Sequence, residues 1–318
     1  MYGILKRMER RIANIIKWYF LKKKLKRHIR NDELGIVCSH PGIGDVYLLG
    51  ALYEALLKKY KAKKIKFFIT NNRKEILEIF NIKDIIIVDN IHLAQSNKFL
   101  STFLLAYFFK KRQKIKLGNI ITNPIDLLRL EIKNQKNTIL FSNVFKNQLN
   151  LPTDTIFNTP KIPKKYYISA RKLLKSKTNN QNKKIIILSP DAVFASKLPI
   201  NFWEELERKI KKNGFQVLYN SKNAKLINKS IYFSLGEAIP ISEMIEGIIS
   251  IRSGLCDLLS TSKTKLVIIY PEMKWINSNS LYDSFNLKDM GLNNNALEII
   301  YNEKDQNNII HQILNFLK

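Results

Sequence analysis

The sequence predicts an α/β protein made of two Rossmann-like halves, each a parallel sheet with helices, facing a central cleft. Three observations carry that expectation. Short Ile- and Val-rich runs alternate with helix-length patterns, the mark of βαβ units. The alternation stops at a stretch bearing Pro152, Pro160 and Pro163 and then restarts, which places a boundary there. A length of 318 residues, 45% apolar and 25% charged, suits two folded domains and excludes a disordered or collagen-like chain.

The first thirty residues hold eleven Lys/Arg and a single acid, Glu9. Ile4, Met8, Ile12, Ile15, Ile16 and Tyr19 recur at three- and four-residue steps, which predicts a basic amphipathic helix. Trp18, Tyr19 and Phe20 beside Lys22, Lys23 and Lys24 suit a helix lying on an anionic membrane, with rings at headgroup level. The same apolar face could instead pack on the chain's own body. The segment contains Lys17 and several arginines, so it has no run of ~18 apolar residues to span a bilayer. It also lacks the apolar core and cleavage site of a signal peptide.

Leu34–Ser39 is a predicted buried strand that enters the turn His40-Pro41-Gly42-Ile43-Gly44-Asp45, followed by a helix from Val46 to near Tyr60. Lys64–Thr70 and Asp84–Asp89 read as strands around a short helix, Arg73–Phe80. The apolar stretch Phe99–Phe109 is too short to cross a bilayer and reads as a buried helix, with a second membrane-facing element as the alternative. Beyond the prolines, Tyr166–Leu174 is helical and Lys175–Lys183 a polar loop. Ile185–Leu188 is a buried strand that leads into a long loop, Ser189–Pro199. Asn201–Lys212 is a helix stopped by Asn213-Gly214. Phe215–Asn220 reads as a strand, Ser242–Ile249 as a helix, Leu266–Tyr270 as a strand, and Gln306–Leu317 as an amphipathic helix. The expected division is a basic helix over 1–30, Rossmann-like domains over 31–155 and 156–303, and a C-terminal helix over 304–318.

The net charge of +28 points to an anionic partner, although a chain crowded with Ile, Lys and Asn also carries lysines that are plain solvated surface. Cys38 and Cys256 cannot build a disulfide framework, which suggests a reducing, cytoplasmic setting. With four histidines, they leave little for a zinc site.

Three segments could carry chemistry. In the first, Gly42-Ile43-Gly44 lets the backbone turn tightly where a strand meets a helix, and Asp45 stands at the helix start. The dinucleotide fingerprint fails there, since Asp45-Val46-Tyr47 follows where a third glycine is needed. Asp45 reads either as an N-cap or as a general base at the sheet edge. In the second, Lys197 sits on the Ser189–Pro199 loop and suits a diphosphate, or is one more surface lysine. In the third, Ser253-Gly254-Leu255 opens an apolar helical run behind Arg252, an anion-binding arrangement or an ordinary cap. Asp257 then sits in the first turn of that helix.

The order of these segments resembles the glycosyltransferases of the GT-B architecture, most nearly family 9, the heptosyltransferases of lipopolysaccharide core assembly. The likeness rests on Gly44-Asp45-Val46-Tyr47-Leu48-Leu49; on Ile187-Leu188-Ser189-Pro190 followed by Lys197, Pro199, Phe202 and Trp203; and on Leu235-Gly236 before Arg252-Ser253-Gly254-Leu255-Cys256-Asp257. It spans most of residues 34–271. The family pattern near the end is Asp-Ser/Thr-Gly-x-x-His; here the acid is replaced by Arg252 and the histidine by Asp257. The segment Arg252–Leu258 is closer to relatives that build capsules and other surface polysaccharides.

The resemblance implies an acceptor domain followed by a nucleotide-sugar domain. It implies transfer with inversion from a nucleotide-diphosphate sugar to a lipid-linked or oligosaccharide acceptor, with no cofactor. Asp45 would be the base. Lys197, Arg252, Ser253, Gly254 and Leu255 would face the donor diphosphate. His40, Gly42 and Gly44 would line the acceptor side, and Tyr219, Ser221 and Glu237 the donor nucleotide. The role of Asp257 stays open. No Asp-x-Asp pair occurs, which fits a site without a divalent metal. The expected location is cytoplasmic, peripheral on the inner face of the plasma membrane, with no nucleic acid as partner. The rival readings are a nucleic-acid-binding protein that uses the basic surface, and a catalytically silent scaffold.

Overall fold

The computed structural model describes residues 13, 17, 20, 21, 23–38, 42–89, 120–122, 140–178, 184–221, 230–276 and 279–318. His40, Phe99–Phe109 and most of the basic N-terminal segment lie outside the described residues.

The described chain runs β1 (Glu33–Val37), α1 (Ile43–Ala51), α2 (Tyr53–Tyr60), β2 (Lys64–Ile69), α3 (Lys74–Glu78), β3 (Ile85–Ile87), β4 (Ile120–Thr122) and α4 (Phe141–Gln148). The four strands form a parallel sheet in the order β3-β2-β1-β4. The helix expected from Val46 to Tyr60 is broken at Leu52, whose backbone leaves helical geometry.

The irregular, proline-bearing stretch over 151–163 follows. It lies against the first half: the Asn158 amide donates to the Ala51 carbonyl (2.8 Å) and the Lys161 amide to that of Ile79 (2.7 Å). Then come α5 (Lys164–Lys177), β5 (Ile185–Ser189), α6 (Ile200–Lys212), β6 (Gln216–Tyr219), α7 (Ala238–Ser242), β7 (Gly247–Ile251), α8 (Gly254–Leu259) and β8 (Lys265–Pro271). A small antiparallel pair, β9 (Lys274–Ile276) and β10 (Asn279–Ser280), precedes α9 (Leu281–Phe285), β11 (Leu297–Tyr301) and α10 (Gln306–Leu317). The second parallel sheet has the order β11-β8-β7-β5-β6. As expected, α6 ends at Asn213-Gly214, where Gly214 takes φ +86°.

One expectation is corrected. Ser242–Ile249 is not a helix. The helix ends at Ser242, and Gly247–Ile251 is the central strand of the second sheet, paired with β5 and β8. All five of its residues are buried. A strand covered on both faces shows no period of two, so Ile248-Ile249 reads the same as a buried helix.

Alternation along β1 and β2 divides the core. Ile36 and Phe67 join a continuous cluster that reaches through both halves to Leu317. Val37 and Phe68 point to the other face, where Leu21, Leu25 and Ile29 cover them together with Val88. The end of the basic segment is thus packed on the chain's own body. Ile29 fills the space beside Gly35, its Cδ1 lying 2.2 Å from where a Cβ would stand. Lys23, Lys24, Lys26 and Arg27 of the same segment stay exposed.

Candidate functional site

The site forms where the end of β1 meets the end of β7. Past Cys38 the chain enters α1, with extended Gly42 at its cap and Asp45 in its first turn. From β7 it passes through Arg252 and extended Ser253 into α8. The starts of the two helices touch. A Cβ on Gly254 would lie 2.5 Å from the Gly44 amide nitrogen, and a Cβ on Gly44 would lie 2.2 Å from Asp257 Oδ2. At Gly254 backbone meets backbone, so glycine is required there, whereas at Gly44 the space is taken by the Asp257 carboxylate.

Asp45 is half-buried beside this seam, its carboxylate folded back over Gly42 and within electrostatic reach of Asp257 and Arg252. Loss of solvent, and next the charge on Asp257, push its carboxyl up to about 8, with Arg252 pulling the other way. The buried Cys38 thiol is pushed up as well, by burial first and then by Asp45. Tyr47, buried two residues further along the helix, approaches Ser260 of the second half through its hydroxyl (3.3 Å).

Arg252, expected to face the donor diphosphate, is instead enclosed. It is 5% exposed and grips both oxygens of Asp257 (2.7 and 3.3 Å). It also donates to the carbonyls of Phe285 (3.0 Å) and Ser253 and lies 5.5 Å over the Phe285 ring. A buried guanidinium needs a counter-charge, and Asp257 supplies it. The two departures from the family pattern are therefore one feature: an ion pair between the positions that flank Ser253-Gly254. The clue in the sequence was the pair of opposite charges bracketing the helix start.

The remaining expected residues divide. Ser189 of β5 and Ser250 of β7 are neighbours in register, so the Lys197 loop and the Ser253-Gly254 turn leave the same sheet edge. Lys197 is exposed there. Ser253 does not cap its helix. Its Oγ is buried without a hydrogen-bond partner among the described residues. Leu255 is buried in the core. Ser221 reaches the same edge and donates to Asp191 (2.6 Å). Tyr219 and Glu237 do not come to the site surface. Tyr219 is buried and bonded to Glu207 (2.7 Å), while Glu237 accepts from the Ser234 amide (2.8 Å) and from Ser169. A contact with no forewarning in the sequence comes from α3: Glu75 accepts from the Gly236 amide (3.0 Å), and Glu78 from Tyr166 and Lys165 (2.6 Å each).

Among the described residues, no group of three or more His, Cys, Asp or Glu is placed to hold a metal, and no helix is long and apolar enough to cross a membrane.

No family profile matches the sequence, and neither does any curated protein sequence. Solved structures do match the fold. A glycosyl transferase family 9 protein from Veillonella parvula aligns with 90% of this chain and 96% of its own, at 13% identity and a TM-score of 0.57. The ADP-heptose lipopolysaccharide heptosyltransferase II of E. coli aligns with 90% of this chain and 98% of its own, at 14% identity and a TM-score of 0.57. An E. coli heptosyltransferase solved with ADP covers 90% and 99%, at 12% identity and a TM-score of 0.50. The protein thus has a mixed α/β fold with parallel sheets, similar to GT-B glycosyltransferases.

Proposed function

We propose that this protein is a glycosyltransferase whose two sheet-bearing halves form the acceptor and donor domains of a GT-B enzyme. It moves a sugar from a nucleotide-diphosphate sugar to a hydroxyl of a surface glycan, with inversion and without a divalent metal. The observation that carries the reading is the position of Asp45. It stands at a helix start on the C-terminal edge of the first sheet, beside the strand-to-helix turn of the second, in a chain with this fold. Ligands of open α/β sheets bind at that edge.

In the reaction an acceptor oxygen attacks the anomeric carbon, and the bond from that carbon to the diphosphate oxygen breaks. The leaving nucleoside diphosphate takes the electron pair, and the acceptor proton passes to Asp45. The transition state is oxocarbenium-like. Charge develops on the diphosphate, where Lys197, the unpartnered Ser253 hydroxyl and the amides at Gly254 and Leu255 would receive it. Arg252 is left out of that set because Asp257 neutralises it, and it is assigned to holding the turn. Capsule or lipooligosaccharide chains are the proposed acceptors.

The test is product formation by mass spectrometry with a panel of sugar nucleotides and a glycan acceptor, comparing wild type with Asp45→Asn. The variant is expected to fold and to lose about 10²–10⁴ in rate. Turnover close to wild type would remove Asp45 from the role of base. Absence of transfer with every donor, while nucleotides still raise the melting temperature, would favour a silent scaffold.

A further inference from the structure

The Arg252–Asp257 pair has a second consequence, which rests on Asp45 being the base. We infer that Asp257, clamped by Arg252, is a positioning residue that sets the proton affinity of Asp45 across the contact between Gly44 and Gly254. Asp257 cannot swing away, because both of its oxygens are engaged by Arg252. Arg252 is itself fixed by the Phe285 carbonyl, which also accepts from the Tyr270 hydroxyl (3.2 Å). Glu298 braces the far side, accepting from Tyr270 and from the Leu287 and Lys288 amides (2.8 and 3.1 Å).

Within this clamp the Asp257 carboxylate meets the first half: Oδ2 fills the space that a Gly44 side chain would need. The charged and titratable groups that face Asp45 among the described residues are therefore few. Cys38 stands at the end of β1, and Asp257 and Arg252 approach from the second half. On its own helix, Tyr47 is turned to Ser260. Of the two charges, Asp257 acts more strongly, and it disfavours the ionised base. An ion pair neutral as a whole thus presents its negative end to Asp45. The base holds its proton under conditions in which an ordinary aspartate has lost it, and its working form is reached at higher pH.

The experiment is a titration of the full chain labelled with ¹³C at aspartate carboxyls, followed by NMR. The Asp45 signal is assigned by its loss in Asp45→Asn. In Asp257→Asn the Asp45 midpoint is expected to fall by about one to three pH units, because a like charge has gone and Arg252 is released toward it. In the double variant Arg252→Gln with Asp257→Asn the midpoint falls by less, since the opposing charge is lost too. The double variant keeps a neutral hydrogen-bonding pair and carries the test if Asp257→Asn alone does not fold. The ascending limb of kcat/KM against pH should move down with the NMR midpoint. An Asp45 midpoint unchanged in both variants would overturn the inference, whatever the activity. A midpoint that moves in a protein that transfers no sugar would uphold the coupling and sink only the transferase reading.

Discussion

Asp45 is the proposed base, and its environment bears on stability as well as on rate. Its carboxyl is raised from an ordinary 3.8 to about 8, chiefly by loss of solvent and then by Asp257. Between those two values the folded protein binds a proton that the unfolded chain has released. The contribution of this group to stability is therefore complete below about pH 4 and is lost as the pH climbs toward 8. Urea unfolding at pH 5 and pH 8 should show wild type losing more stability than Asp45→Asn. The variant should be the more stable at pH 8, by on the order of 1 kcal/mol. Parallel behaviour of the two proteins would show that Asp45 is ionised in the folded state at both pH values. The same half-buried carboxyl group thus costs stability as the pH rises, which accords with the proposed role.

At the scale of elements, the site depends on how closely α1 approaches α8. Gly254 has backbone in the space a methyl would take, the Gly44 nitrogen at 2.5 Å, with the Ile43 Cβ, which cannot rotate away, at 2.9 Å. Gly254→Ala must therefore move one helix start off the other. Overpacking of this kind costs typically about 1–3 kcal/mol, read as a lower urea midpoint, and it should also reduce transfer by displacing Asp45 from the second half. A variant with unchanged midpoint and unchanged rate would mean that the two helix starts are not held in contact in solution. A second tie lies in α3, where Glu75 and Glu78 reach the Gly236 loop and α5. Gly236 is itself confined by the Tyr166 ring, 2.1 Å from where its Cβ would be.

Among the described residues, one continuous core links both sheets, and the helical end of the basic segment with Ile29 closes the outer face of the first. That packing separates two roles within the basic segment. Leu21, Leu25 and Ile29 serve the fold, whereas Lys23, Lys24, Lys26 and Arg27 stay exposed. The proposal that this segment rests on anionic lipid is therefore tested by reversing charges rather than by deleting residues 1–30, which would bare Val37 and Phe68. Each basic residue near such a surface is worth about 1 kcal/mol. The triple variant Lys23→Glu, Lys24→Glu, Lys26→Glu should lose most of its sedimentation with phosphatidylserine vesicles while its circular dichroism stays unchanged. Equal sedimentation of variant and wild type would reject a lipid-facing role.

Local spacing was enough to read the α/β class, most strand positions, the stop of α6 at Asn213-Gly214 and the two glycine turns, at Gly44 and Gly254, that meet in the fold, because turns, caps and periodicity are written in neighbouring residues. It was not enough for β7, since a run such as Gly247–Ile251, buried on both faces, has no period to detect. Nor could it decide the duties of Arg252, Asp257, Tyr219 and Glu237. From spacing alone Arg252 was a charge behind an anion-binding helix start and Asp257 an acid in that helix's first turn. Only the tertiary structure paired them, turned the acid toward Gly44 and so placed a negative charge beside Asp45. A proton's affinity for its site depends on solvent and charge within a few ångströms, and those neighbours come from segments far apart in the chain.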